Sequence, residues 1–256
     1  MQEKSAQAEN ELWNAVGEAL DEEMSTVEDV LESLARTQKG NVKSSIENCM
    51  TILYRDPALK DAICKNELTN KTDIVKPLSW KRNGSCVTDV DMYQIQRYIE
   101  TNYGISNDKA INKAVSIIAS EKSYHPVREF LENLQWDGKS RIASLLPRYL
   151  GADDNKYTRE IMRLLMLAAI HRIYELGCKF EIMVCLVGGQ GAGKSTFFRF
   201  LAVKDEWFTD DLKRMDDENV YSKMQGHWII EMSEMLATVN AKSIEDIKSF
   251  LSRQKE

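Results

Sequence analysis

Apolar residues recur at helical spacing through most of the first 176 residues of the chain. Two short alternating segments at 63–68 and 73–78 predict a small hairpin. Residues 1–36 have a helical period with acidic faces, which favours a peripheral helical arm. We therefore expect a mainly helical N-terminal domain over 37–150, behind an acidic arm at 1–36. The helices predicted from this pattern are at about 41–55, 89–102, 107–121, 140–150 and 156–176.

The hydrophobic pattern changes after Gly177. Residues 180–187 form an apolar run that is typical of a buried strand in a parallel sheet. A glycine-rich loop follows, then a helix predicted over 196–202 and a second short apolar strand over 228–232. Strand, loop, helix and strand in this order predict an α/β domain with a parallel sheet, which we place at residues 151–256.

The glycine-rich loop fits the phosphate-binding pattern G-x-x-x-x-G-K-[ST]. Glycines let backbone N–H groups approach a phosphate closely, and a lysine supplies a cation for the β- and γ-phosphates. The serine after it supplies a hydroxyl for Mg²⁺. The alternative is a glycine-rich turn with an incidental lysine, which the flanking strand and helix disfavour. The sequence predicts ATP with Mg²⁺ at this loop, bound by Gly188, Gly189, Gln190, Gly191, Ala192, Gly193, Lys194, Ser195 and Thr196.

A phosphate-binding loop also needs a carboxylate at the end of a neighbouring strand. Glu231 follows an apolar strand, and Glu234 lies three residues further on. We expect Glu231 to hold the metal ion together with Ser195, and Glu234 to polarise the attacking water or support the site. The two roles could be exchanged, and an ordinary solvated acid pair is the alternative interpretation.

Composition narrows the class of protein. The chain lacks both a long uncharged apolar run and a secretory signal, so we expect no membrane span and a cytoplasmic location. Its five cysteines are scattered, which argues against disulfides and zinc. The acidic cluster over 210–218 is interpreted as a solvated face and not as a metal site. Buried packing is expected for Trp80, Trp136 and Trp228, in preference to stacking on bases.

The charge distribution along the chain neither indicates nor excludes nucleic-acid binding. The formal net charge is −6, but residues 1–36 carry ten acids and two basic residues, a balance of −8, so the remainder sums to about +2. Lysine and arginine are scattered at 81–82, 139–148 and 213–214 without a dense basic run. Any contact with DNA is therefore expected at the phosphate backbone and without sequence preference.

These motifs together resemble the virulence-associated protein E family. The resemblance rests on the glycine loop, on Trp-Ile-Ile-Glu-Met-Ser-Glu at 228–234 and on Ile-Lys-Ser-Phe-Leu-Ser-Arg-Gln at 247–254. It extends upstream through Tyr-His-Pro-Val-Arg at 124–128 and Trp-Asp-Gly-Lys at 136–139, and covers roughly 40–256. Members occur in phages and other mobile elements and resemble superfamily 3 helicases of the AAA+ class.

The resemblance implies a replicative, helicase-like P-loop ATPase that acts on DNA as a homo-oligomeric ring in the cytoplasm of a bacterial host. Family members continue past the equivalent of Glu256 into a polar sensor residue and arginines that complete catalysis. The resemblance therefore implies a truncated gene product in which ATP binding survives better than turnover. Two other hypotheses remain: an interaction module with a vestigial nucleotide site, and a small-molecule kinase.

Overall fold

The computed structural model describes residues 26–180, 182–212 and 220–233, together with residue 249. The described chain divides into two compact units. The first contains residues 26–66 and 71–124. The second contains the hairpin loop 67–70 and the chain from His125 onward. This division falls at 124/125, whereas the sequence predicted a boundary at 150/151.

The first unit combines four helices with a three-stranded sheet in its described residues. Strand order is β2-β1-β3, with β2 antiparallel and β3 parallel to β1, and Ile63 pairs with Ile74. The predicted hairpin is therefore present, with strands shorter than the sequence indicated. The elements are α1 (Val27–Ser33), α2 (Ile46–Arg55), β1 (Ile63–Asn66), β2 (Lys71–Ile74), α3 (Asp89–Tyr103), α4 (Asp108–Glu121) and β3 (Ser123–Tyr124).

Capping residues set the helix ends in this unit. The side chain of Ser45 accepts a hydrogen bond from the backbone of Asn48 and starts α2, which therefore begins later than the predicted residue 41. Asn107 caps α4 in the same way. Gly104 ends α3 with a left-handed backbone, as its position in the sequence predicted.

The core of the first unit reaches into the segment predicted as a peripheral arm. Val30 is fully buried and Leu34 almost so, and both pack with Ile52, Ile99 and other apolar side chains of α2, α3 and α4. The prediction of an arm was therefore wrong for residues 26–36. Its acidic faces point to solvent while one apolar stripe packs inward, which net charge alone did not show. Residues 1–25 lie outside the described chain.

Buried carboxylates stabilise the first unit, among them Asp56 and Asp91. Asp56 is fully buried and accepts hydrogen bonds from the hydroxyls of Tyr98 at 2.9 Å and Tyr103 at 2.6 Å. Asp91 accepts from the Trp80 indole at 2.9 Å and from Arg82 Nε at 2.8 Å. Trp80 thus packs against this core, as the sequence predicted.

The second unit is mainly helical in its described residues and contains a short parallel pair of strands. Phe208 pairs with Ile229, and Thr209 with Ile230. The mixture of helices with small sheets is compatible with the α/β class. The elements are α5 (Pro126–Glu132), a 3₁₀ turn (Ile142–Ser144), α6 (Leu145–Leu150), α7 (Lys156–Tyr174), α8 (Lys194–Leu201), a second 3₁₀ turn (Asp205–Trp207), β4 (Phe208–Thr209), α9 (Val220–Met224) and β5 (Ile229–Ile230).

Two apolar clusters of the second unit explain why its boundary lies before α5. One joins Val127 of α5 to Trp207 and Trp228, and the other joins Leu146 of α6 to Phe197 of α8. Helix α6 therefore packs with the glycine loop's own helix, and α5 packs with the residues that follow that helix. The sequence boundary at 150/151 separated elements that share these two clusters.

The expected buried strand at 180–187 is absent from the described residues 182–187. Val187 is 78% exposed and Ile182 46% exposed, and only Leu186 packs against the α8 cluster. A central strand exists only where neighbouring strands satisfy its backbone groups on both sides. The parallel pairing is made instead by β4 and β5, so an apolar run alone was an insufficient signal.

Candidate nucleotide-binding site

The glycine loop ends in two residues with a left-handed backbone. Gly191 has φ of 79° and Gly193 has φ of 80°, and Gly193 directly precedes the first turn of α8. L-residues rarely adopt this conformation, so the backbone itself requires glycine at these two positions. At Gly188 and Gly189 φ is not positive, and an added Cβ would meet nothing within 4 Å. Open space at those positions leaves room for a ligand to approach the backbone.

Lys194 lies across the mouth of the loop. Its Nζ donates hydrogen bonds to the carbonyl oxygens of Gly188 at 2.9 Å and Gly189 at 2.8 Å. The ammonium is therefore held where the loop backbone and the start of α8 meet. A cation at this point, beside the positive end of a helix dipole, attracts an anion such as a phosphate.

Ser195, in the first turn of α8, contacts the acid at the end of β5. Its Oγ donates to Glu231 Oε1 over 2.7 Å. The backbone N–H of Glu231 donates to the carbonyl oxygen of Thr209 at 2.8 Å, which extends the β4–β5 pairing by one residue. Strand pairing thus fixes the position of Glu231, and the glycine loop fixes that of Ser195.

The second carboxylate oxygen of Glu231 has an unusual environment. Oε2 is buried and accepts no hydrogen bond from the described residues. Ser233 Oγ donates only to Oε1, at 3.3 Å. A buried carboxylate oxygen without a donor is costly, because it has lost water without gaining a partner. Such an oxygen is suited to a cation or to a water molecule bound to one.

The donor set fits a hard cation that takes oxygen ligands. Mg²⁺ is usually held by one or two protein oxygens, with water and phosphate oxygens completing the octahedron. Ser195 and Glu231 supply a hydroxyl and a carboxylate of this kind. Within the described ranges no group of three His, Cys, Asp or Glu side chains could hold a metal ion. A magnesium site that is completed by phosphate oxygens does not require such a group of side chains.

An aromatic cluster supports the strand that carries Glu231. The Trp228 indole donates to the carbonyl oxygen of Ala169 in α7 at 2.8 Å. Its ring meets Trp207 edge to face, with centroids 6.3 Å apart, and Trp207 meets Phe130 at 5.7 Å. Trp228 thus packs in the core, as the sequence predicted. The cluster holds β5 against α7 and so orients the acid at its end.

The structure brings together Lys194, Ser195 and Glu231 from the predicted site residues. Gln190, Ala192 and Thr196 are exposed or partly exposed around the same loop, while Glu234 lies outside the described residues. Sequence reasoning missed Thr209 and Ser233. The only signal for Thr209 was the short aromatic run Trp207-Phe208 before it, and Ser233 was visible as a hydroxyl between the two acids.

Trp136 is the residue for which the expectation of burial was wrong. Its side chain is 82% exposed. It directly precedes the Asp137-Gly138 turn, in which Gly138 has φ of 79°, and it belongs to none of the apolar clusters. Of the acidic cluster, Asp210 and Asp211 are exposed, and the members over 216–218 lie outside the described residues.

Comparison with known families agrees with the position of this site. Residues 131–256, which fall within the second unit, match the family model of the virulence-associated protein E-like domain. This part of the chain is therefore similar to the virulence-associated protein E-like domain. The match begins at residue 131, whereas the resemblance read from the sequence extended to about residue 40. No curated protein is similar enough to count as a relative.

Membrane insertion has no candidate segment among the helices that the structure describes. None of them is both long and apolar enough to cross a bilayer.

Proposed function

We propose that the second unit binds ATP with Mg²⁺ at residues 188–195, as the nucleotide site of a helicase-like replication protein of a phage or other mobile element. The observation that carries the proposal is the contact between Ser195 and Glu231 directly beside Lys194. Phosphate-binding loops require a helix N-terminus, a lysine, a hydroxyl and a strand-end acid. These four features converge here from separate parts of the sequence.

Each residue has a role that follows from its geometry. The backbone N–H groups of the loop and the Lys194 ammonium would hold the phosphates, with the ammonium exchanging its contacts to the Gly188 and Gly189 carbonyls for phosphate oxygens. Ser195 and Glu231 would hold Mg²⁺. When bound, the metal ion neutralises charge on the β- and γ-phosphates. Glu231 Oε2, buried without a donor, would gain a partner.

Nucleotide binding is tested with a fluorescent ATP analogue by titration. The wild type is expected to bind in the presence of Mg²⁺, and Lys194→Ala is expected to lose most of this affinity. Lys109→Ala is the matched control, since it removes an exposed lysine of α4 in the first unit. No binding by the wild type, or equal binding by the wild type and Lys194→Ala, would contradict the proposal.

The motor part of the proposal is that ATP binding drives action on the DNA backbone in a homo-oligomeric ring. It is supported by the family match and by the helicase resemblance of the motifs. The test is ATP hydrolysis by the protein with and without DNA, combined with its sedimentation behaviour. Hydrolysis that DNA does not stimulate but a small acceptor molecule does would favour a kinase instead.

A further inference from the structure

The segment 134–163 exposes all three of its large aromatic side chains. Trp136 is 82% exposed, Tyr149 is 60% exposed and Tyr157 is 73% exposed. Leu146 and Met162 of the same segment are almost or fully buried. Tyrosine is commonly half-buried, but tryptophan is highly buried on average, so the exposed indole beside two exposed tyrosines needs an explanation other than packing.

The segment is ordered by contacts of its own. The 3₁₀ turn at Ile142–Ser144 and helix α6 both pack against α7. The Asp137 carboxylate accepts hydrogen bonds from the backbone N–H of Lys139 at 3.1 Å and from Arg141 Nη1 at 2.9 Å. The exposed indole therefore precedes a hydrogen-bonded turn and not a loose end.

The charges of the segment leave a positive excess next to these rings. It contains six basic and four acidic residues. Asp137 pairs with Arg141, and Asp154 pairs with Arg159 through two hydrogen bonds of 2.7 and 2.9 Å. Arg163 lies 3.9 Å from Glu160. The side chains of the remaining three cations, Lys139, Arg148 and Lys156, form no ion pair with the described residues.

One cation already lies over a ring. The Arg148 guanidinium carbon is 5.5 Å from the centroid of the Tyr149 ring. A guanidinium on an aromatic face presents N–H donors at the ring edge, where the phosphate of a nucleotide stacked on that ring would lie.

We propose that an aromatic-basic surface made by Trp136, Lys139, Arg148, Tyr149, Lys156 and Tyr157 binds single-stranded DNA. Unpaired bases stack on the three rings, and the three cations contact the phosphates. This inference rests on the DNA part of the proposed function, and it specifies the form of the DNA and the residues that hold it. It does not depend on the nucleotide site.

Single strands fit this surface better than duplex DNA or a protein partner. In a duplex the base faces are covered by their neighbours, so exposed rings would have nothing to stack on. Protein interfaces are typically depleted in lysine, yet Lys139 and Lys156 flank the exposed rings here. Scattered cations without a dense basic run also suit a flexible backbone that follows them.

The test measures anisotropy of a fluorescent oligothymidylate of about 20 nucleotides, long enough for one binding unit. Trp136→Ala and Tyr157→Ala are each expected to weaken binding by about 5-fold to 100-fold, the range that one stacked base contributes. Tyr93→Ala is the matched control, because Tyr93 is 64% exposed on α3 in the first unit. Circular dichroism establishes that each variant is folded.

Several outcomes would overturn the inference. One is that Trp136→Ala and Tyr157→Ala bind the oligonucleotide with the affinity of the wild type. Another is that the wild type binds a duplex as tightly as the single strand. Loss of self-association in Trp136→Ala with unchanged oligonucleotide binding would point to a protein interface instead. Lys194→Ala separates the two proposals, since it should keep oligonucleotide binding without ATP. A wild type that binds the oligonucleotide but not ATP would overturn only the proposed nucleotide site.

Discussion

At the scale of single residues, Glu231 links the strand pair to the glycine loop. One of its oxygens accepts from Ser195 and the other is buried without a donor. The second oxygen contributes nothing to internal hydrogen bonding among the described residues, so it does not stabilise the folded chain and could instead bind a cation. The proposed Mg²⁺ would give this oxygen the partner that the described residues do not supply.

Replacing Glu231 with glutamine should remove the Mg²⁺ dependence of nucleotide binding. The neutral amide supplies one oxygen and no charge, so we expect the affinity measured with Mg²⁺ to fall at least about tenfold. Isothermal titration with and without Mg²⁺ measures this effect. Glu32→Gln, an exposed position on α1, is the control. Unchanged Mg²⁺ dependence in Glu231→Gln would remove this residue from the metal site.

Because of Asp91, the free energy of unfolding of the first unit should fall at acid pH. Burial alone would raise its pKa, but hydrogen bonds from Arg82, Trp80 and Thr88 outweigh burial and hold the pKa well below its usual range. The unfolded chain, with an aspartate pKa of about 3.9, then takes up the proton first. The stabilisation is present above about pH 4 and is lost as the pH falls through the folded-state pKa.

This dependence is measured by urea unfolding between about pH 5 and pH 2. Asp91→Asn should be less stable at the upper end and should lose less stability towards the lower end. Asp89→Asn, an exposed position in the same helical turn, should follow the wild type. Parallel curves for Asp91→Asn and the wild type would show that Asp91 does not titrate as its hydrogen bonds indicate.

Asp56→Ala should be strongly destabilising. It leaves the buried hydroxyls of Tyr98 and Tyr103 and two backbone N–H groups without their acceptor. We expect the free energy of unfolding to fall by about 3 kcal/mol or more. Glu100→Ala, exposed on α3, should change it by less than about 0.5 kcal/mol. Chemical denaturation gives both values, and a small effect of Asp56→Ala would mean that water replaces the carboxylate.

At the scale of elements, the turn from the loop into α8 depends on one backbone conformation. Gly193→Ala places a Cβ on a residue with φ of 80°, which costs about 1 kcal/mol or shifts the loop. Gly188→Ala has open space and no positive φ, so it should leave stability unchanged. Thermal unfolding compares the two. Equal stability of both variants would show that the loop adjusts its backbone freely.

The sequence predicted several helices correctly but was less successful with the strands of the second unit. Helices α3, α4 and α7 agree with their predicted positions because periodicity and capping residues are local signals. The strand at 180–187 failed because strand formation depends on partners elsewhere in the chain. Strand β4 was missed because a strand of two residues shows no periodicity in the sequence. Its structure comes from pairing with β5.

Within the candidate site, the meeting of Ser195 and Glu231 was predictable, whereas the exposure of Trp136 was not. Motif spacing places a loop and a strand-end acid on one edge of a sheet wherever the motif folds. Burial of a single tryptophan depends on what surrounds it in three dimensions. The sequence indicated the turn at Asp137-Gly138 beside it but not what would surround the indole.

At the scale of the whole molecule, ligand binding should raise the free energy of unfolding. A ligand that binds only the folded state adds about 2.7 kcal/mol at a concentration one hundred times its dissociation constant. Mg²⁺-ATP should therefore raise the unfolding midpoint of the wild type and leave that of Lys194→Ala unchanged. Differential scanning fluorimetry measures the midpoints. A rise in both proteins would place the nucleotide elsewhere.

The paired indoles give the second unit an optical property of its own. Trp207 and Trp228 immediately precede β4 and β5, and their rings cross at 77° with centroids 6.3 Å apart. Two indole transitions so close and so steeply inclined couple as excitons and give a circular dichroism couplet in the ultraviolet. The couplet depends on the alignment of the strand that ends at Glu231. The chain thus contains an unlabelled spectroscopic reporter three residues from its candidate metal ligand.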